Sequence, residues 1–136
     1  MKKMVLLLCN VALIAVVNGC ARGGNYDPKN TAKFNQEDTS KFVLLDAGAQ
    51  KSVTSTGIQE GKTSDGRMKV VANLRNRENR RIEVQVSCVF KDAQAFSIDE
   101  TPYRTLILDE NSTQSVMFES FRKDAAKYTV RVRQAR

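Results

Sequence analysis

From residue 42 onward, apolar and polar positions alternate with a period of two, the pattern of strands with one buried face. The clearest run is Ile82 to Phe90, where Ile82, Val84, Val86, Cys88 and Phe90 share one side. Met68, Val70, Ala72 and Leu74 repeat the pattern within Arg67 to Leu74, and Tyr128, Val130 and Val132 repeat it within Tyr128 to Arg133. Shorter strand segments are Phe42 to Leu45, Ser52 to Ile58, Phe96 to Ile98, Thr105 to Leu108 and Ser115 to Phe118. Between them, Ser64-Asp65-Gly66-Arg67 reads as a tight hairpin, because glycine accepts a positive φ without a Cβ clash. Asn76-Arg77-Glu78-Asn79 and Asp109-Glu110-Asn111-Ser112 read as longer hairpin loops. No helical period appears after the first 20 residues. Seven or eight short strands in about 95 residues predict an all-β domain over residues 42–136, an antiparallel two-sheet sandwich of immunoglobulin-like type. A small barrel is the alternative.

The N-terminus follows a different pattern. Lys2 and Lys3 precede an apolar run from Met4 to Val17, and Asn18 and Gly19 lead to Cys20. This is the layout of a bacterial secretory signal, and the run is shorter than the ~20 apolar residues of a membrane span. With Val17 and Gly19 before the cysteine, the site resembles the lipobox of bacterial lipoproteins. That resemblance implies a signal peptide over residues 1–19, removed ahead of Cys20, and acylation of Cys20 with chains such as palmitate. One acyl chain binds a bilayer marginally at about 0.8 kcal/mol per CH₂, whereas two or more hold stably. Ala21 after the cysteine, rather than aspartate, implies sorting to the outer membrane, with the domain on the periplasmic face. Residues 20–41 are polar and mixed in charge without apolar periodicity, the composition of a flexible tether with an r.m.s. span of about 25 Å. Tyr26 and Phe34 are isolated aromatics within it.

Charge and chemistry narrow the picture further. The formal net charge is +7, and loss of Lys2 and Lys3 with the signal leaves +5. A basic chain often binds nucleic acid, but export argues against that partner; anionic lipid head groups, lipopolysaccharide phosphates or an acidic protein fit the compartment better. Of the three cysteines, Cys9 lies in the signal and Cys20 carries lipid, so Cys88 has no intramolecular partner and is expected to be a small core residue. The 136 residues contain no histidine, which removes the commonest general base and imidazole metal ligand. No nucleophile elbow, phosphate loop or metal-spaced cysteine set is present, so neither an enzyme, a metal nor a cofactor is expected. The adjacent carboxylates Glu37-Asp38, Asp99-Glu100 and Asp109-Glu110 would point to opposite faces of a strand. Asp92, at the end of the central strand, is expected to cap a turn. The densest charge is Arg75, Arg77, Arg80 and Arg81, placed at a hairpin tip and suited to phosphate or carboxylate through bidentate guanidinium bonds. Arg131, Arg133 and Arg136 lie on the outward side of the last strand and extend that surface.

Several of these segments together resemble the YcfL-like bacterial lipoproteins (domain of unknown function 1425). Phe42-Val43-Leu44-Leu45-Asp46-Ala47 is similar to their opening strand. Ser64-Asp65-Gly66-Arg67-Met68-Lys69-Val70 with Leu74-Arg75-Asn76 resembles their Gly-Arg-Leu strand ending in Leu-x-Asn. Val89-Phe90-Lys91-Asp92 resembles their aromatic-x-Asp strand end, and Pro102-Tyr103 stands where that family often has a tryptophan. The resemblance implies an exported lipoprotein with a β-sandwich and supplies no catalytic residues. The resulting expectation is an anchored, non-enzymatic adaptor in the cell envelope, held to the membrane by Cys20 and docking on an envelope protein. A periplasmic binder of a small anion or glycan, with the arginines as ligands, is the alternative, and a deep pocket with convergent polar groups would favour it.

Overall fold

In a computed structural model, residues 40–135 are described. The expected signal peptide, Cys20, all but the last two residues of the expected tether, and Arg136 lie outside them. Eight strands and one short helix are present among the described residues: β1 (Phe42–Leu44), α1 (Ala47–Ser52), β2 (Val53–Lys62), β3 (Met68–Asn76), β4 (Ile82–Lys91), β5 (Ser97–Glu100), β6 (Arg104–Leu108), β7 (Thr113–Glu119) and β8 (Lys127–Gln134). They form the expected two-sheet sandwich. One sheet runs β1-β8-β4-β5, with β6 also pairing β4; the other runs β2-β3-β7.

The alternation seen in the sequence builds the core directly. Val70, Ala72 and Leu74 of β3 and Val86, Cys88 and Phe90 of β4 are fully buried, and Val130 and Val132 of β8 join them. The register sets Cys88 opposite Val130 and Val86 opposite Val132, while Val70 faces Phe118 across the β3–β7 pair. Burying a side chain such as Phe90 contributes about 2–3 kcal/mol. Cys88 is a core residue as expected: burial pushes its thiol up to about 12, far from thiolate chemistry.

Three features depart from the sequence expectation. First, β1 pairs β8 in parallel, so the sandwich is not wholly antiparallel. Second, a six-residue helix interrupts the path from β1 to β2. It is too short to show a 3.6-residue period, and its signal is the N-cap: Asp46 Oδ1 accepts from the Ala49 backbone N–H at 2.8 Å. Third, two of the three expected hairpins are crossovers. Gly66 does make the β2–β3 hairpin at φ 84°. However, residues 77–81 carry the chain from β3 in one sheet to β4 in the other, and residues 109–112 carry it back from β6 to β7. Polar loop composition marks a turn but not which strands will pair across it.

These connections give the domain two unlike ends. Because β1 and β8 are parallel, Ser40 leads in beside the start of β8, next to the β4–β5 turn and the β7–β8 loop (the near end). Helix α1 and the two crossovers gather at the opposite, far end.

Candidate functional site

The far end is built around Asn76, the last residue of β3, whose side chain is fully buried. Its Nδ2 donates to the carbonyls of Arg80 at 2.7 Å and Asp109 at 2.8 Å, with Leu108 at a longer 3.3 Å. Its Oδ1 accepts from the Glu78 backbone N–H at 2.8 Å, and its own N–H donates to Ser112 at 2.9 Å. One carboxamide therefore ties the first crossover to the second. Asn111, in the left-handed conformation at φ 51°, adds a side-chain bond to Asn79 at 2.8 Å and a backbone bond to Glu78. The Arg77 backbone N–H donates to Ser52 at 2.8 Å, which fastens the loop to α1.

The four arginines expected to act together divide into two pairs on this frame. Arg80 pairs with Glu78, which also accepts from the Ser52 hydroxyl; the Arg80 guanidinium, then Ser52, hold the Glu78 carboxyl below its ordinary range. Arg81 pairs with Asp109 at 2.9 Å. Arg75, near the end of β3, and Arg77, in the crossover, are exposed and carry no ion pair among the described residues. The first pair is neutralised in place, whereas the second presents open guanidinium groups on a fixed backbone. Arg131 and Arg133 do not extend this loop. They lie on the outer face of the larger sheet with Tyr103, whose ring centroid is 3.8 Å from the Arg133 guanidinium and 5.3 Å from that of Arg131. Arg131 also pairs with Glu100, and Arg133 donates to Gln85 at 2.8 Å. Arg136 is outside the described residues.

Beside the loop, α1 and the start of β4 border an open cleft of about 260 Å³ that Arg80, Arg81 and Glu83 help to line. Its two arginines already have carboxylate partners, and Glu83 adds negative charge. This cleft is open and shallow, and a larger hollow of about 510 Å³ lies at the other end between Lys41, Glu60, Lys127 and Tyr128, away from the four arginines. The adjacent carboxylates diverge as expected: Asp99 accepts from the Ser120 hydroxyl and the Phe121 N–H, whereas Glu100 meets Arg131. Asp92 caps its turn, accepting from the Phe96 N–H at 2.9 Å. Glu37-Asp38 lies outside the described residues. Sequence reasoning missed Asn76, Asn111, Glu78 and Asp109, the residues that set which arginines are open, although Leu74-Arg75-Asn76 had marked Asn76 through the family resemblance.

Solved structures share this architecture. The crystal structure of cj0090 from Campylobacter jejuni aligns with a TM-score of 0.59 at 14% identity, over 70% of this chain and 98% of that one. A DUF1425 family member from Shewanella sp. pv-4 aligns with a TM-score of 0.57 at 14% identity, over 62% of this chain and 79% of that one. The fold is that of the DUF1425 family. No family model matches the sequence, and no curated protein matches it. A YcfL-like fold at such low identity brings an architecture and no assigned chemistry, so the functional reading rests on the chain's own side chains.

Proposed function

We propose that this chain is an anchored, non-enzymatic adaptor of the bacterial cell envelope, held at the periplasmic face of the outer membrane through Cys20. Its partner is an envelope protein bearing acidic groups, and its contact surface is the far end of the sandwich. The observation that carries the reading is the pinned crossover. Arg75 and Arg77 are unpaired and exposed, on a backbone fixed by the buried Asn76 carboxamide. A loop held in this way loses little conformational entropy on binding, and exposed guanidinium groups suit carboxylates on a partner. The position also suits an anchored domain, since a tether leading to Ser40 leaves the far end pointing toward other molecules.

The competing reading, a small anion in the cleft beside α1, is weakened by the ion pairs that Arg80 and Arg81 already make. Crosslinking in intact cells, followed by capture and mass spectrometry, separates the two. A protein partner captured by the native chain and lost in both the Arg75→Ser/Arg77→Ser double variant and the Cys20→Ser chain supports the adaptor. Equal capture by the double variant contradicts the far-end surface, and a soluble, unlipidated native chain contradicts the anchor.

A further inference from the structure

The near end is apolar where the far end is charged. Phe121, in the β7–β8 loop, is 76% exposed, and Phe96, at the β4–β5 turn, is 71% exposed. They are the two most exposed large hydrophobic side chains among the described residues, and each is held out by a specific local bond. Asp99 accepts the Phe121 N–H at 2.6 Å and the Ser120 hydroxyl at 3.0 Å, which fixes the start of the loop. Asp92 accepts the Phe96 N–H while Ala95 takes the left-handed conformation at φ 74°, which turns the chain just before Phe96. Water does not favour presenting two phenylalanines on fixed turns at one end of a small domain.

Most of the carboxylates around them are taken, with Glu119 at the end of β7 making no ion pair among the described residues. Asp92 and Asp99 are occupied by backbone and hydroxyl donors, Asp124 is paired with Arg122, and Glu60 is paired with Lys41. Lys123 and Lys127, both exposed and close in sequence to Phe121, make no ion pair among the described residues. Two aromatic side chains flanked by open lysines match the boundary of a bilayer with anionic head groups: rings enter the acyl margin while ammonium groups meet phosphate. Ser40, from which the chain leads back toward Cys20, sits at this same end, where Thr129 Oγ1 donates to its carbonyl at 3.0 Å.

We infer that the near end docks on the anionic phospholipid surface, with Phe96 and Phe121 inserted at the head-group boundary and Lys123 and Lys127 on the phosphates. This deepens the proposed function and rests on its reading of Cys20 as the anchor, because two side chains alone bind a membrane weakly. The tether makes the contact intramolecular and keeps the local lipid concentration high. Docking then orients the domain, with Arg75 and Arg77 directed away from the bilayer.

The chain contains no tryptophan, so a single introduced one is a clean reporter. The lipidated full chain carrying Phe96→Trp, Phe121→Trp or, as an outward control on the larger sheet, Ile107→Trp is reconstituted into vesicles of phosphatidylethanolamine and phosphatidylglycerol with brominated acyl chains. Flotation reads the anchor, and quenching reads the docking. The expected result is flotation of all three, with about a twofold loss of emission at positions 96 and 121 and little at 107, as shallow insertion implies. Flotation without quenching at 96 and 121 overturns the docking and leaves the anchor standing. Equal flotation and quenching by a Cys20→Ser chain would overturn the anchor and leave the docking standing on the near end alone. Neither signal overturns both. The Lys123→Glu/Lys127→Glu double variant should remove the quenching while flotation persists; persistence of the quenching would overturn the role given to the lysines.

Discussion

The two ends of this sandwich solve opposite problems. At the far end, one buried carboxamide satisfies the carbonyls of two crossovers, and the arginines Arg80 and Arg81 are held by carboxylates. At the near end, carboxylates are spent on backbone N–H groups, and two phenylalanines are left in the open. Rigidity at the far end comes from buried hydrogen bonds; at the near end it comes from capped turns that present apolar surface. The lesson is that exposed charge and exposed apolar surface each become specific only when the backbone beneath them is fixed.

The comparison can be broken most severely at Asn76. Asn76→Ala leaves the Arg80 and Asp109 carbonyls and the Glu78 N–H without their shared partner, and the expected loss is about 3 kcal/mol. Urea unfolding should show it as a lower midpoint with an unchanged slope. A loss near zero would mean that the crossovers do not depend on that carboxamide. Gly66, in the near-end hairpin, is next: at φ 84° an alanine is strained, and Gly66→Ala should cost about 1 kcal/mol.

Acid provides a third, smaller contrast. The Arg80 and Ser52 bonds lower the Glu78 carboxyl below its ordinary value of 4.5, so the folded state binds fewer protons at this group than the unfolded state. The stabilisation is complete above the unfolded value and is lost as pH falls through the lower folded value. Thermal melts from pH 6 down to pH 3 should therefore fall more steeply for the native chain than for Glu78→Gln, by a small margin because the ion pair lies at the surface and solvent screens it. Parallel curves would remove Glu78 from the account. The smallest effect belongs to the near end: Phe121→Ser should leave stability within about 0.5 kcal/mol, since the ring touches water. A large loss there would make Phe121 a packing residue and not a presented one.

The strands were legible because their signal is local. Val84, Val86, Cys88 and Phe90 alternate in sequence and are buried in the structure for the same steric reason. Strand pairing was not legible in the same way. Asn76-Arg77-Glu78-Asn79 has hairpin composition, yet β3 and β4 belong to different sheets, because which strand a turn leads to is decided by long-range packing. Helix α1 was hidden by its length, with Asp46 as the one local sign. Ser87 lies between Val86 and Cys88 on the other side of β4 and is nonetheless buried, where Arg131 reaches across from β8 to bond its hydroxyl. At the candidate site, sequence placed four arginines together but could not show that two of them are already neutralised. That division depends on Glu78 and Asp109, which reach Arg80 and Arg81 only through the fold.

The most direct test of the central claim is a photo-crosslinking residue placed in intact cells at position 77 and, separately, at position 121. The account predicts a discrete protein adduct from position 77 and lipid adducts without a protein partner from position 121. A protein adduct from 121 with none from 77 would contradict it, because the end assigned to the membrane would then be the end that binds the partner.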